Sequence, residues 1–253
     1  MTVMKIIISG ANGRMGRMLS ETIEASRSGG ADCQIVARID PRFESCGTDG
    51  TWKTLDDFDG TADVVVDFSN HAATESLLNY CVKRKLPVVI ATTGQTDDEL
   101  AMIRRASEQI AVFLSANMSI GVALLADLSK KAAALFPEAD IEIIEKHHNQ
   151  KLDVPSGTAL LLANRIKEAK PDARFVVGRH ENGKRTSDEI GIHSLRYGTE
   201  VGTHEVIIST GKETITLKHE AENRGLFAEG ALKAASFIVG KAPGLYDMRN
   251  IVE

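Results

Sequence analysis

The sequence contains few cysteines, and it has no long apolar run. Only Cys33, Cys46 and Cys81 occur among its 253 residues, and they have neither CxxC spacing nor an obvious partner. We therefore expect reduced thiols in a soluble, cytoplasmic protein. No apolar run approaches the roughly 20 residues that a membrane helix needs, and the N-terminal segment MTVMKIIISG shows no signal peptide.

An excess of positive charge is also absent. The chain carries 30 Lys and Arg against 35 Asp and Glu, a formal charge of −5. No bulk electrostatic attraction to nucleic acid or anionic membranes is therefore expected. The composition, with 43% hydrophobic and 26% charged residues, is ordinary for a globular protein. The length fits one large domain or two smaller ones.

The first half of the chain alternates short apolar runs with helical patterns. The predicted strands are Met4–Ser9, Gln34–Ile39, Asp63–Asp67, Pro87–Ala91 and Ile110–Ser115, and the predicted helices are Arg14–Ser26, Ala72–Arg84 and Asp97–Gln109. Alternation of helices with continuous apolar strands is typical of a parallel sheet covered on both faces. We therefore predict an N-terminal, Rossmann-like, doubly wound α/β domain.

The second half has a different rhythm. The predicted helices are Gly121–Phe136, Thr158–Ala169 and Ala228–Val239, and the predicted strands are Asp140–Lys146, Arg174–Val177, Gly191–Tyr197, Glu205–Ser209 and Glu213–His219. A polar loop is predicted at Val177–Glu189. Successive strands joined by short turns favour an antiparallel or mixed sheet. This pattern predicts a second domain of the α+β class.

A glycine-rich loop, Gly10–Gly16 (GANGRMG), follows the first predicted strand. In a strand–loop–helix unit, glycines allow the backbone to approach a pyrophosphate, and the helix N-terminus offers unpaired N–H groups. The spacing is G-x-x-G-x-x-G, with Asn12 where a second glycine of the usual pattern would lie. A tight turn without a ligand is the alternative, but the position after the first strand favours a nucleotide.

An acidic residue, Asp40, ends the second predicted strand. An acid at this point of a dinucleotide-binding fold commonly accepts hydrogen bonds from the ribose hydroxyls. A solvated strand end is the alternative. Arg38 and Arg42 flank Asp40, and an arginine here can pair with the extra phosphate of NADP. The local sequence therefore leaves the choice between NAD and NADP open.

Polar residues also follow three other predicted strands of the first half. They are Phe68–Ser69, Thr92–Gly94 and Ala116–Met118. The carboxyl ends of parallel strands lie at one edge of the sheet, where ligands of doubly wound folds bind. Together these ends predict a binding cleft.

The segment Glu145–Ala159 (EKHHNQKLDVPSGTA) concentrates positive charge in a chain of negative net charge. Its histidines and lysines precede Ser156, at the predicted start of a helix, where hydroxyl and N–H groups bind anions. The pattern suits a small dicarboxylate, with a histidine or lysine available for proton transfer. The alternatives are that Ser156 is only an N-cap and that the histidines are structural. A metal site is not favoured, because HExxH is absent and the cysteines are scattered.

The motifs together resemble the family of 4-hydroxy-tetrahydrodipicolinate reductase, also called dihydrodipicolinate reductase, of the diaminopimelate route to lysine. The resemblance rests on Gly10–Arg17, Asp67–Ser69, Ala91–Gly94, Ala116–Gly121, Glu145–Ala159, Gly202–Val206 and Arg224–Ala231, in order along nearly the whole chain. The pattern HHxxKxDxPSGTA is the most specific of them.

The resemblance implies a fold and an activity. The implied domains are a dinucleotide-binding domain at 1–118, completed by 226–253, and an inserted domain at 119–225 that binds substrate and forms a homotetramer. The implied reaction is the NADH- or NADPH-dependent reduction of 4-hydroxy-tetrahydrodipicolinate, a cyclic imine dicarboxylate, to tetrahydrodipicolinate.

The resemblance also implies residue roles. The cofactor pyrophosphate would contact Gly10, Ala11, Asn12, Gly13, Arg14 and Met15. The adenosine ribose would contact Asp40. The nicotinamide would contact Ala91, Thr92, Thr93, Ser115, Ala116, Asn117 and Met118. Proton transfer would fall to His147 and Lys151, and carboxylate binding to His148, Lys151, Ser156, Gly157 and Thr158. No metal is implied.

Three positions depart from the family pattern. Ala91 replaces the first glycine of Gly-Thr-Thr, and Tyr197 interrupts Arg-Gly-Gly, which leaves the conformation of that loop open. Pro41 follows Asp40 where some relatives carry an arginine, so the preference between NADH and NADPH stays open.

Two other classes of protein were weighed. A semialdehyde dehydrogenase needs a cysteine nucleophile over the nicotinamide, and the second half of the chain contains none. A non-catalytic nucleotide-binding regulator has no reason to keep His147, His148 and Lys151 beside a helix N-terminus. Both features favour the reductase.

Overall fold

The computed structural model describes residues 3–28, 33–44, 47 and 49–252, so the expectation for Cys46 lies outside the described residues. The chain divides into two compact units. Residues 1–118 and 225–251 form the first, here called the N-terminal unit, and residues 119–224 form the second, here called the inserted unit. Each unit has a sheet of its own.

The N-terminal unit has a parallel sheet with helices on its faces. The strands are β1 (Met4–Ser9), β2 (Cys33–Ile39), β3 (Thr51–Trp52), β4 (Val64–Asp67), β5 (Val88–Ile90), β6 (Ala111–Leu114) and β12 (Gly244–Tyr246), and the helices are α1 (Arg14–Ser28), α2 (Thr74–Arg84), α3 (Asp97–Ser107) and α6 (Gly225–Ile238), with α7 (Arg249–Val252) at the end of the chain. The strand order is β12-β6-β5-β4-β1-β2-β3, and all pairs are parallel.

This order contains the 3-2-1-4-5-6 arrangement of doubly wound dinucleotide-binding folds. The predicted Rossmann-like fold is therefore confirmed. The five predicted strands all form, with ends within one residue of the prediction. Strands β3 and β12 were not predicted, because runs of two and three residues carry no periodic signal.

Alternate side chains of the parallel strands are buried on opposite faces of the sheet, in two apolar layers. Ile7 of β1 packs in a core with Leu77 of α2 and Ile103 of α3. Ile6 and Ile8 are also fully buried, and they point to the opposite face because successive strand residues alternate. Helices α1 and α6 pack against each other, and α6 also contacts β4, β5 and β6. The continuous apolar runs of the sequence reflect burial on both faces.

The inserted unit contains a smaller, mixed sheet. Its strands are β7 (Asp140–His147), β8 (Arg174–Val177), β9 (Glu189–Arg196), β10 (Thr203–Ser209) and β11 (Thr214–Glu220), and its helices are α4 (Ile120–Leu135) and α5 (Gly157–Lys167). The order is β11-β10-β7-β9-β8; β10 is antiparallel to both neighbours, whereas β7, β9 and β8 are parallel. The predicted mixed sheet is confirmed.

One face of this mixed sheet packs against α4 and α5. Ile143 of β7, Ile192 of β9 and Val206 of β10 are fully buried, and they share a core with Leu162 and Ile166 of α5. The other face stays partly exposed, as the alternating burial of β7 and β11 shows. The unit thus has a single core, on the helix side of the sheet.

No helix among the described residues is long and apolar enough to cross a membrane. Cys33 and Cys81 are both buried.

Candidate active site

The glycine loop begins where β1 ends, and its backbone leaves no room for a side chain at Gly10 or Gly16. Gly10 has a φ of +75°, which favours glycine. A Cβ atom at Gly10 would lie 2.5 Å from the carbonyl oxygen of Phe68, and one at Gly16 would lie 2.3 Å from the carbonyl oxygen of Gly10. The first glycine therefore permits the turn, and Gly16 allows α1 to pack directly against the loop.

Four backbone N–H groups of this loop already have acceptors. Gly10 and Ala11 donate to the carbonyl oxygen of Ile39 at 2.9 and 3.0 Å, Gly13 donates to that of Gly10 at 3.0 Å, and Asn12 donates to Asp40 Oδ2 at 3.2 Å. These bonds fix the shape of the loop. The N–H groups of Arg14 and Met15 begin α1, where a helix supplies no acceptor, so they are the donors best placed for a phosphate.

Asp40 and Arg42 form a charged pair at the end of β2. The guanidinium of Arg42 donates from Nε to Asp40 Oδ1 and from Nη2 to Asp40 Oδ2, both at 2.8 Å. These hydrogen bonds hold the pKa of Asp40 below its usual value. The Asp40 side chain is buried, while that of Arg42 is 62% exposed. The pair places one acid and one solvent-facing cation at the position where a ribose is expected.

A second buried carboxylate, Asp67, joins the ends of β4 and β5. It accepts hydrogen bonds at 2.6 Å from the hydroxyl of Ser69 and at 2.6 Å from that of Thr92. Burial raises the pKa of Asp67. Thr92 is therefore turned inward and is buried, whereas Thr93 is exposed at the sheet edge. The sequence identified Asp67 as part of a motif but gave it no role.

The fourth predicted strand end, 115–118, forms a turn after β6. The hydroxyl of Ser115 donates to the carbonyl oxygen of Asn117 at 2.8 Å. Ala116 is exposed, but Met118 is buried, and a Cβ atom at Gly230 would lie 1.7 Å from its carbonyl oxygen. Ala116 and Asn117 are thus the accessible members of this group.

In the inserted unit, one face of three paired strands changes from apolar to polar along its length. The first two rows across β9, β7 and β10 are Ile190–Ile141–Ile208 and Ile192–Ile143–Val206, and the next row is Ser194–Glu145–His204. His147 and Arg196 pair with each other one step further on. Because side chains alternate across a strand, the polar residues continue the core face; Glu145, His147 and His204 are buried, and Ser194 and Arg196 are half-buried.

Glu145 is the centre of this polar cluster. It is fully buried. His147 Nδ1 lies 2.5 Å from Oε2, and Arg196 donates to Oε2 and Oε1 at 2.8 and 2.7 Å. The backbone N–H of Ser156 donates to Oε1 at 3.2 Å. Burial opposes ionisation of Glu145, but the hydrogen bonds from His147 and Arg196 outweigh it, and its pKa is lowered.

His147 packs against a second buried histidine, His204. The ring centroids lie 5.1 Å apart in an edge-to-face arrangement. His204 Nε2 is 3.1 Å from the hydroxyl oxygen of Ser156. Burial and the nearby charge of His147 lower the pKa of His204 to about 3. His204 is therefore neutral near pH 7.

Neither Glu145, Arg196 nor His204 was predicted as a site residue. The predicted strand ended at Lys146, whereas β7 continues through His147. Glu145 and His147 are two residues apart and share a face if the strand continues, and this spacing was the available signal. Arg196 contacts Glu145 from 51 residues further along the chain, and His204 contacts Ser156 from 48 residues further along, so their contributions depend on long-range pairing in the folded sheet.

His148 and Lys151 follow the end of β7. The partial burial of His148 and the positive charges of Arg224, His147 and Lys151 lower its pKa. Lys151 Nζ pairs with Asp153 Oδ1 at 2.9 Å. The predicted concentration of positive potential is thus present around His148, and it favours an anionic ligand.

Ser156 is the N-cap of α5. Its hydroxyl accepts the Ala159 N–H at 3.2 Å, and the residue is buried. The hydroxyl therefore caps the helix and contacts His204, which limits its use in substrate binding. Gly157 is exposed, Thr158 is half-buried, and a Cβ atom at Gly157 would meet nothing within 4 Å. The accessible donors at this helix start are those of Gly157 and Thr158.

No group of three or more potential metal ligands is found in the described part of the chain. The hydrogen-bond donors near His147 and His148 are Arg196, Lys151 and the backbone N–H of Ser156. Such donors attract anions rather than cations.

Family models match both halves of the chain. The model for dihydrodipicolinate reductase, N-terminus, matches residues 4–118, and that for dihydrodipicolinate reductase, C-terminus, matches residues 121–252. A 4-hydroxy-tetrahydrodipicolinate reductase of Caldanaerobacter subterraneus is 43% identical, with 99% of each chain covered. The enzyme of the same name from Clostridium novyi is 45% identical, with 98% of each chain covered.

The solved structures agree. A dipicolinate-bound dihydrodipicolinate reductase from Paenisporosarcina sp. TG-14 superposes with a TM-score of 0.81 at 27% identity, covering 99% of this chain and 100% of the other. A DAP dehydrogenase of C. glutamicum, at 15% identity and a TM-score of 0.60, shares the fold alone. With both halves matched and relatives aligned end to end, the chain belongs to the dihydrodipicolinate reductase family.

Proposed function

We propose that the chain catalyses the NAD(P)H-dependent reduction of 4-hydroxy-tetrahydrodipicolinate to tetrahydrodipicolinate, in the diaminopimelate route to lysine. The observation that carries this proposal is the polar end of the mixed sheet. There, a carboxylate-bound imidazole, His147, adjoins a positively charged segment and the open N-terminus of α5. A cyclic imine dicarboxylate needs both a proton source and anion-binding groups, and this segment provides them.

The N-terminal unit is proposed to bind the cofactor. Its residues fit a pyridine nucleotide because Gly10 and Gly16 allow a tight turn from β1 into the N-terminus of α1, and because Asp40 presents an acid at the end of β2. When bound, the nicotinamide supplies the hydride. The N–H groups of Arg14 and Met15 hold the pyrophosphate, and the edge formed by Ala91, Thr93, Ala116 and Asn117 orients the ring.

Both NADH and NADPH are proposed as cofactors. Asp40 accepts hydrogen bonds from the hydroxyls of the NADH ribose. Arg42 is largely exposed, and its guanidinium and its backbone N–H are bound to Asp40, so its guanidinium can turn from Asp40 to a 2′-phosphate. An arginine fork matches a phosphate at least as well as a carboxylate.

The inserted unit is proposed to bind and protonate the substrate. His148 and the N–H groups of Gly157 and Thr158 bind the two carboxylates. Lys151 leaves Asp153 for a substrate carboxylate and donates the proton that neutralises the developing negative charge. His147 gives or takes a proton at Nε2. A general acid or base at such a position contributes about 10²–10⁴-fold to the rate.

The proposed assembly is a homotetramer formed through the inserted unit. The face of the mixed sheet opposite α4 and α5 carries Ile144 and Ile207 among polar residues, and both are only half-buried. Leu195 on the same side is 43% exposed. Burial of these side chains against another copy supports assembly. The mass measured by light scattering at micromolar concentration should be four times 27.4 kDa; a monomeric mass would exclude the tetramer.

The function is tested with freshly generated 4-hydroxy-tetrahydrodipicolinate and either reduced nucleotide. Oxidation of NADH or NADPH, followed by absorbance, should require both the substrate and the protein. The control is a protein with Lys151→Ala, which keeps the glycine loop intact. Binding of the nucleotide without its oxidation would instead favour a non-catalytic regulator.

A further inference from the structure

We propose that Glu145 is the positioning residue of His147: it fixes the proton of His147 on Nδ1 and leaves Nε2 as the atom that exchanges a proton. This inference rests on the proposed function for its catalytic consequence, but the position of the proton can be measured without turnover. Arg196 supports Glu145 in this role, because it holds the carboxylate in place and keeps it charged.

The hydrogen bonds of Glu145 determine which nitrogen of His147 carries the proton. An ionised carboxylate has only acceptor sites. Arg196 donates two further hydrogen bonds to it and the Ser156 N–H donates one, and the neighbouring Ser194 hydroxyl also acts as a donor toward the carboxylate. The carboxylate therefore accepts from His147 as well, so Nδ1 carries the proton at all times. Nε2 is left to bind or release the second proton.

The surroundings of Nε2 are consistent with this assignment. A Cβ atom at Gly202 would lie 3.0 Å from Nε2 and 3.3 Å from Cδ2 of His147. A glycine at this position keeps that space open beside the exchanging nitrogen. Nδ1, by contrast, is covered by the fully buried Glu145. Only one edge of the imidazole can therefore take part in exchange.

Arg196 and Glu145 have opposite effects on the charge of His147. The carboxylate favours the protonated ring, whereas the guanidinium disfavours it. The groups that act on His147 or its immediate neighbours are Glu145 on β7, Arg196 on β9, His204 on β10, and His148 and Lys151 on the following segment.

The same carboxylate also ties the imidazole to the start of α5. Oε1 accepts the N–H of Ser156, the N-cap residue. One buried group thus positions the proton-exchanging ring and the helix start that is proposed to bind a substrate carboxylate. A change at Glu145 should therefore alter both the orientation of His147 and the alignment of α5.

Glu145→Gln is the direct test of the tautomer. An amide has one acceptor oxygen and one donor nitrogen, so its NH2 group must face either His147 and one Arg196 N–H, or the other Arg196 N–H and the Ser156 N–H. The first orientation opposes one fixed donor and the second opposes two, so the first is favoured. We expect the ring to turn its lone pair to the amide and to move its proton to Nε2. The ¹⁵N signals of labelled histidine report this directly, with the His147 signals assigned by their loss in His147→Asn.

Nδ1–H in the wild type, changing to Nε2–H in Glu145→Gln, supports the proposal. Nε2–H in the neutral wild-type ring would overturn it, whatever the catalytic activity, and this measurement does not depend on whether Glu145→Gln folds. Failure of the wild type to oxidise NADH or NADPH would instead refute the proposed function and leave the tautomer result standing.

The charge effect is tested by titration of the same His147 signals. The midpoint should fall by about one pH unit in Glu145→Gln, and it should rise in Arg196→Met, because each variant removes one charge of opposite sign. The kcat–pH profiles should move in the same two directions, with kcat of Glu145→Gln about 10²-fold lower. Shifts of the same sign in both variants would refute the role of charge, since general loosening of the cluster has no preferred sign.

The chain offers a matched control on the same strand. Glu142 of β7 lies on the opposite face and pairs with His193 Nε2 at 2.7 Å. Glu142→Gln removes the same charge from a Glu–His pair that lies outside the candidate site. It should leave the positions of the His147 signals unchanged and kcat within about twofold of the wild type. An equal loss of kcat in both variants would assign Glu145 a merely structural role.

Discussion

The candidate cofactor edge and the candidate substrate site use different means to present groups to a ligand. In the N-terminal unit, the loop packs closely on its own backbone at Gly10 and Gly16, and backbone N–H groups are its proposed binding groups. In the inserted unit, the site consists of side-chain charges, with Glu145 and His147 buried and Arg196 half-buried. Backbone donors carry no titratable charge. We therefore expect changes in the N-terminal unit to act through shape and affinity, and changes in the inserted unit to act through charge and pH.

The largest expected effect tests whether chemistry is confined to the inserted unit. Lys151→Ala should lower kcat by about 10²-fold or more, because it removes a proton donor from the transition state. The dissociation constant for NADH should stay within about threefold, well under the 1.4 kcal/mol of a tenfold change. Steady-state kinetics and a nucleotide titration measure the two quantities.

His148→Ala is the companion variant, since it removes an anchor rather than a proton donor. It should act more on the KM for the substrate than on kcat. Near-normal kcat in Lys151→Ala, with loss of NADH affinity, would mean that the segment belongs to the cofactor site.

The second effect compares two glycines, each near a helix start. Gly10→Ala should lower the free energy of unfolding by about 2 kcal/mol or more, because its φ is positive and the new methyl would lie 2.5 Å from a carbonyl oxygen. Gly157→Ala should leave it within about 0.5 kcal/mol, because nothing lies within 4 Å of the new methyl. Urea unfolding measures both. Equal losses would show that the two loops do not differ in steric constraint.

The fold could be predicted from the sequence to a greater extent than the site. The runs MKIIIS and DVVVD give β1 and β4 directly, because strands buried on both faces are continuously apolar. In contrast, Glu142 and Glu145 look alike in the strand DIEIIEKH. Only pairing with β9 and β10 shows that Glu142 meets His193 on the partly exposed face, whereas Glu145 meets His147 and Arg196 inside.

The glycine loop shows a similar limit. Its spacing predicted a pyrophosphate site, yet the residues do not contribute equally. Most N–H groups of Gly10–Gly13 are used within the loop or by its neighbours, because the turn must satisfy its own backbone. Such an allocation depends on where Ile39 and Asp40 lie in the folded sheet, and no spacing rule contains that information.

The third effect locates an acid-sensitive element in the inserted unit. His204 has a folded-state pKa of about 3, below the unfolded value of roughly 6.5. Between these values the unfolded chain binds a proton that the folded chain excludes. The stability that His204 contributes is therefore present above pH 6.5 and is lost on acidification, at about 1.4 kcal/mol per pH unit.

His204→Gln should flatten this dependence between pH 6.5 and 5, because it keeps a polar group near Ser156 without the titration. Over most of this range Glu145 is ionised in both states, since its pKa is lowered from 4.5 in the folded state, and it adds little slope; what it adds is common to both proteins. Chemical denaturation of both proteins at several pH values measures the difference. Parallel curves would show that His204 does not exclude a proton in the folded state.

The smallest expected effect concerns the charged pair of the N-terminal unit. We expect charge to matter less there than in the inserted unit. Asp40→Ala should raise the KM for NADH by about fivefold to tenfold, because hydrogen bonds to the ribose hydroxyls are lost. The KM for NADPH should rise less or even fall, since the carboxylate repels a 2′-phosphate and its removal frees the Arg42 fork. Arg42→Met is the matched variant, and it should raise the KM for NADPH more than that for NADH.

Neither variant should change the pH dependence of kcat near neutrality, because the pKa of Asp40 is already lowered and arginine does not titrate there. Equal changes in both KM values would refute the ribose assignment, and an altered pH profile would mean that charge in the N-terminal unit also controls the chemistry.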